Sequence, residues 1–304
     1  MAPVYFQQEE TRILAAPNNP AIDAPPFLTP RGVGLDGVGG LVIHRTDGVF
    51  LCTGSMIAPM WVLTAAHCLA DTSGNMITTS VDSTFFPNPS GTLTLTSGVG
   101  NFFVNPLYDG SVISDYDIAL VRLPSPVGPG VDVYSPYTGP ITTSQFTMVG
   151  FGQRGDGSTG ATLPSGSRRE GFNNFDFFLS PGVLIADFDN GNPNNDASCS
   201  ITGGRCDLGL GSLESNTGHG DSGGPVFFGN QIVAVVSFGA RTTAPPDIDS
   251  ALNSTFGEFA GFTSVEFNQG FLDATMAPEP ASWAGLVLGI GVLARLRQRK
   301  RLSH

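Results

Sequence analysis

The sequence predicts an all-β fold, a sandwich or a barrel, on three observations. Short runs of β-branched, aromatic and leucine residues recur from about Leu41 onward. Glycine and proline break them at close intervals, with 40 and 23 copies among 304 residues. Charged residues make up only 13 % of the chain, too few for long solvated helices.

The elements follow in order. Residues 1–31 are rich in proline, alanine and asparagine and read as a flexible leader or pro-segment. Strands are predicted at "GGLVIHR", "WVLTAAH", "TLTLTSGVG" and "IALVRL", which belong to a first half, 32–135. The stretch Pro124 to Pro140 is dense in proline and glycine and suits a connection better than a central strand. A second half, 136–276, carries "FTMVGFG" and "QIVAVVSFG". No sequence repeat relates the halves. Within the second, Asp187 to Asp196, "DFDNGNPNND", is the most polar piece of the body. Its aspartates invite a calcium loop, but an EF-hand frame opened at Asp187 puts Gly191 fifth, Asn192 sixth and Ser198 twelfth, which fails the pattern. An Asn/Asp/Gly loop bonding its own backbone is the simpler reading, so no metal and no cofactor are expected.

Net charge is −12, and its distribution is uneven. Five of the fourteen basic residues lie in the last ten positions: Arg295, Arg297, Arg299, Lys300 and Arg301. Residues 1–277 alone hold 9 basic and 25 acidic side chains, a balance of −16. Such a body repels nucleic acid and anionic membranes, so no nucleic-acid partner is expected. The four cysteines, Cys52, Cys68, Cys199 and Cys206, are even in number and locally spaced, without the Cys-x-x-Cys pair of a zinc site. Two disulfides in an oxidising compartment follow, with the pairing left open.

The tail, 277–304, has three parts: Pro278-Glu279-Pro280, a charge-free run from Ala281 to Ala294, and the basic cluster. An apolar run closed by Arg and Lys suits a hydrophobic helix whose basic end stays cytoplasmic. These parts together resemble the PEP-CTERM sorting signal of Gram-negative bacteria. The resemblance implies an exosortase as processing partner at Pro278-Glu279-Pro280, membrane anchoring through 281–294 before processing, and then release to the cell surface or matrix. The opening "MAPVYFQQEETRIL" has no basic start and apolar run, so export is expected to rely on a signal beyond this start or already removed.

Chemistry concentrates in "NTGHGDSGGPVFF", Asn216 to Phe228, where Ser222 stands between an aspartate and two glycines. A serine hydroxyl is inert unless a base takes its proton and donors hold the resulting oxyanion. Of the four histidines, His304 is in the tail, while His67 follows an apolar strand in "WVLTAAHC". Asp117, in "SDYDIALVRL", precedes another such strand and needs a donor if buried. A histidine Nδ1–H supplies one and leaves Nε2 free to accept a proton. Glycines at 220, 223 and 224 let the chain turn sharply and present the N–H groups of Gly220 and Ser222.

"TAAHC", "DIAL" and "GDSGGP", in that order, resemble the chymotrypsin-like, trypsin-fold serine peptidases. The resemblance covers about 40–270 and implies two six-stranded antiparallel Greek-key barrels with the active site between them. It implies a serine endopeptidase acting on polypeptide substrates, with His67, Asp117 and Ser222 as catalytic triad and Gly220 and Ser222 as oxyanion hole. It also implies Cys52 paired with Cys68 around the histidine, and Ser237, Phe238 and Gly239 alongside the substrate backbone. A Gly-x-Ser-x-Gly elbow is absent, against an α/β-hydrolase esterase. The competing reading is a catalytically silent surface or matrix protein that reuses the fold for binding.

Four features depart from that family. The base of the specificity pocket is Asn216 where trypsin-like members carry aspartate, so strong selection for Arg or Lys is not expected. Gly218 replaces the pocket's usual cysteine, and Cys199 with Cys206 encloses a loop without a family counterpart. Cleavage after Arg31 would expose Gly32-Val33-Gly34, a poor version of the family's Ile/Val-led terminus that pairs with the aspartate before the nucleophile, here Asp221. Either that pairing occurs or other donors satisfy Asp221. His219 reads as a residue of the site's rim.

Overall fold

The computed structural model describes residues 5–6, 12–15 and 27–277, apart from 143, 205 and 244. The tail segments from Pro278 onward, and with them the hydrophobic helix and sorting signal, lie outside the described residues. Among the described residues no helix is long and apolar enough to cross a membrane.

Each predicted run forms a strand. The first sheet runs in spatial order Leu93–Gly98, Thr78–Phe85, Val38–Arg45, Gly48–Ala58, Trp61–Thr64, Ala119–Arg122 and Phe102–Val104, all pairs antiparallel. The second orders Arg169–Asn174, Gln145–Gly150, Pro225–Phe228, Gln231–Arg241, Glu258–Ser264, Val183–Asp187 and Phe177–Ser180. These are the two β-barrels. Their main paths hold seven strands each rather than six, counting the short strands Phe102–Val104 and Phe177–Ser180 at their ends. Alternation explains the cores. Leu41, Ile43, Val62 and Val121 face one cluster of the first barrel, and Phe146, Leu184, Val236 and Phe262 another in the second.

The described pieces of residues 1–31 pair with the body of the chain. Arg12–Ala15 pairs antiparallel with Ser215–Gly218, and Tyr5–Phe6 with Ala240 and Arg241. Leu28 bridges to Arg169, and the Glu170 N–H donates to the Phe27 carbonyl over 3.0 Å. The free edges of second-barrel strands offer N–H and C=O groups that an extended segment can satisfy. Composition alone does not reveal such edges.

Arg168 fixes the next stretch. Its guanidinium pairs with Asp36 over 2.7 Å, both side chains being buried, and donates to the carbonyls of Leu35 and Pro30, each over 2.9 Å. Gly32 N–H, the amide after Arg31, donates to the other oxygen of Asp36 over 2.7 Å.

Candidate active site

His67 and Asp117 meet because of strand register. Trp61–Thr64 pairs antiparallel with Ala119–Arg122, Thr64 opposite Ala119. The end of one strand therefore lies beside the start of the other. His67, in the turn Ala66–Leu69, thus comes over Asp117. His67 Nδ1 is 2.7 Å from Asp117 Oδ2, and the His67 backbone N–H donates to Oδ1 over 2.8 Å. Asp117 is fully buried, while the imidazole keeps 13 % of its surface. The Ser237 hydroxyl also reaches Asp117 Oδ2 and lies 2.8 Å from the Val112 carbonyl oxygen. The Ser237 side chain therefore supports the aspartate, a task that its expected place alongside the substrate backbone leaves open to it. The Phe238 ring packs over Gly261, on the neighbouring strand, and Gly239 is half-exposed beside it.

Ser222 lies in the turn between Ser215–Gly218 and Pro225–Phe228. The sequence contains no local hint of what holds this turn, which is Thr53 from the other barrel. Thr53 N–H donates to the Ser222 carbonyl over 2.9 Å, and its hydroxyl donates to the Gly220 carbonyl over 2.7 Å. The same hydroxyl accepts the Phe151 N–H over 3.1 Å. Thr53 neighbours Cys52, which is bonded to Cys68 next to His67. The Cys68 sulfur sits 3.7 Å from the Ser222 carbonyl oxygen. One covalent bridge and one threonine therefore bring the histidine turn and the serine turn together. Cys199 and Cys206 form the second disulfide.

The two peptide groups expected to bind an oxyanion are each held by their carbonyl. The His219 carbonyl accepts the Gln153 N–H over 2.8 Å, and the Asp221 carbonyl accepts the Gly224 N–H over 2.7 Å. In a trans peptide the N–H points opposite to the C=O, so the orientations of the Gly220 and Ser222 N–H groups are set. Gly220 and Gly223 adopt φ of 98° and 76°, and a Cβ on Gly223 would stand 2.0 Å from the Thr64 hydroxyl oxygen. The buried Asp221 carboxylate accepts N–H groups of Gly152 and Gly218, each over 2.8 Å.

Asn216 is buried, and its Oδ1 accepts the Thr217 N–H over 2.9 Å. His44, on the strand Val38–Arg45, is 3.2 Å from Asp82 in a half-exposed pair. His219 is half-buried next to Gly220.

A group of carboxyls lies behind the Asn216 strand, where the aspartates of the polar 187–196 loop meet Glu214, which no sequence pattern singles out. Asp187, Asp189 and Glu214 are buried. Burial, followed by repulsion from neighbouring carboxyls, holds Asp187 well above the usual range and pushes Glu214 up to about 8. Burial, opposed by the Gly191 N–H, pushes Asp189 up to about 6.

Comparison with known proteins agrees with this architecture. The family model described as Trypsin matches residues 39–192, a span that contains His67 and Asp117 and ends before Ser222. Brachyurin of Leptuca pugilator is 28 % identical over 201 residues, covering 64 % of this chain and 78 % of that protein. Trypsin of Saccharopolyspora erythraea is 27 % identical over 207 residues, with 66 % and 80 % covered. The snake venom serine protease serpentokallikrein-1 of Protobothrops mucrosquamatus is 26 % identical over 230 residues, with 72 % and 78 % covered. Among solved structures, HL collagenase superposes with a TM-score of 0.58 at 17 % identity, covering 83 % of this chain and 98 % of the other.

Proposed function

The chain belongs to the trypsin family of serine peptidases, and we propose that it hydrolyses peptide bonds through His67, Asp117 and Ser222. Ser222 Oγ attacks the scissile carbonyl while His67 Nε2 takes its proton. Asp117 holds the Nδ1–H tautomer and stabilises the imidazolium that forms. The Gly220 and Ser222 N–H groups receive the oxyanion. His67 then protonates the leaving amine, and water repeats the sequence on the acyl-enzyme.

The observation that carries this reading is the buried His67–Asp117 pair, joined by Thr53 and the Cys52–Cys68 bridge to a serine turn whose peptide groups are already oriented. A silent binding protein has no need of that arrangement. Asn216 places no charge at the base of the pocket, so the preferred side chain before the cleaved bond is uncharged. Ser237, Phe238 and Gly239 are assigned to the strand that aligns the substrate backbone.

The disulfides and the venom relative point to an extracellular protein. The finer reading is export followed by exosortase cleavage at Pro278-Glu279-Pro280, with 281–294 anchoring the precursor in the inner membrane of a Gram-negative bacterium. It rests on the tail sequence. Cleavage-site mapping on a mixed peptide library tests the pocket. Cuts after uncharged residues are expected, and cuts confined to Arg and Lys would overturn the assignment of Asn216.

A further inference from the structure

The buried carboxyls behind the specificity pocket form a site of their own. One carboxylate oxygen from each of Asp187, Asp189 and Asp196 lies within 4.8 Å of the others, and all three residues are buried. Calcium binds oxygen at about 2.3–2.6 Å, so oxygens sharing one ion stand within about 5 Å of each other. Among the described residues no arginine, lysine or histidine pairs with these aspartates or with Glu214. Three buried negative charges at this spacing repel one another unless protons or a cation neutralise them.

A second observation points to a ligand. Asp189 is fully buried; its Oδ1 accepts the Gly191 N–H over 2.7 Å, while its side chain otherwise faces the Glu214 carboxyl, and among the described residues no N–H or hydroxyl group donates to its Oδ2. The Ser198 hydroxyl, equally buried, also lacks a partner among the described residues, although the Ser198 N–H donates to Asp187 Oδ2 over 2.9 Å. Uncompensated oxygens of this kind cost stability in a dry interior.

We propose that Asp187, Asp189 and Asp196 bind a calcium ion, with the Ser198 hydroxyl available as a further oxygen ligand. All the donors are hard oxygens. The neighbouring sulfurs of Cys199 and Cys206 are tied up in a disulfide, so a thiolate metal is excluded here. The failed EF-hand frame does not bear on this site, because its ligands converge through the fold rather than through a twelve-residue helix–loop–helix spacing. The ion braces the strand that carries Asn216: Glu214 Oε2 accepts the N–H groups of Asp189 and Asn190, each over 2.8 Å, and Glu214 directly precedes Ser215–Gly218.

The test is calcium titration of the full chain after EDTA treatment, by calorimetry and by melting, with binding read independently of peptidase activity. Saturable binding and a raised melting temperature are expected. Asp189→Asn should weaken binding by about tenfold or more, as loss of a ligand charge does. In EDTA the order should reverse, Asp189→Asn melting above the unsubstituted protein because one repelling charge is gone. Should Asp189→Asn not fold, Asp196→Asn decides: asparagine still caps the helix Ala197–Thr202, so only the ligand charge is lost. The proposal is overturned by absence of heat and melting shift up to about 10 mM calcium, beyond even weak extracellular sites. It is equally overturned by an equal response to magnesium, or by a folded variant that binds calcium as tightly as the unsubstituted chain.

Discussion

Thr53 and Gly220 lie 167 positions apart and are joined by one buried hydrogen bond, the threonine hydroxyl donating to the glycine carbonyl over 2.7 Å. Each polar atom of Thr53 is engaged: N–H to Ser222, hydroxyl between Gly220 and Phe151, carbonyl with the Thr64 hydroxyl. The residue beside the histidine disulfide thus sets the position of the serine turn. Thr53→Val keeps the shape but strands a buried carbonyl and a buried N–H. Stability should fall by about 1–3 kcal/mol in urea titrations. Reaction of Ser222 with an acylating reagent should slow, while the His67–Asp117 pair stays intact by NMR.

Asp117→Asn is expected to keep the packing and lose the chemistry. The amide would offer an N–H to His67 Nδ1 and favour the wrong tautomer. A fall in kcat/KM of roughly 10³–10⁴-fold, with little change in melting temperature, is the expected result.

The Arg168–Asp36 pair is buried on both sides and anchors Pro30 to Asp36 against the second barrel. Arg168→Met leaves Asp36 charged and unpaired, at a cost of about 3–5 kcal/mol. Denaturant melts measure the loss. Proteolysis after Arg31 should accelerate in parallel, since the guanidinium no longer ties down the flanking carbonyls.

Glu258 gives a pH dependence of determined sign. Burial dominates and raises its carboxyl from 4.5 to about 8, with Asp247 adding to the shift and the N–H groups of Asn253, Ser254 and Thr255 opposing it. A folded value above the unfolded one means the native state holds the proton more tightly. The stability contribution is therefore full below 4.5 and is lost as pH rises through about 8. Glu258→Gln should flatten that part of the stability–pH curve, measured in calcium-free buffer to keep the aspartate site constant.

What the sequence made legible is local. "TAAHC" and "DIAL" sit at the ends of two apolar strands, and antiparallel pairing of those strands is enough to bring His67 to Asp117. The turn around Ser222 is equally plain from its glycines. What stayed hidden is what the folded chain makes from distant pieces. Neither Thr53 nor Arg168 stands in a motif, and each acts on a partner more than a hundred residues away. The second task of Ser237 stayed hidden for the same reason, since only the folded strand shows its hydroxyl turned to Asp117. The aspartates of 187–196 were tested against a linear calcium pattern, while their proximity comes from a looping chain that returns through Glu214.

The central claim is an activated Ser222, and reaction with a fluorophosphonate probe tests it most directly. The full chain, intact across Arg31–Gly32, would be labelled beside Ser222→Ala and His67→Ala, with intact mass recorded before and after. One adduct on the unsubstituted chain, abolished by either substitution and formed without cleavage at Arg31, is the predicted result, since Asp221 already accepts two backbone N–H groups. Folded, disulfide-bonded protein that takes no label, cleaved or uncleaved, would contradict the account and leave a binding protein built on a peptidase fold.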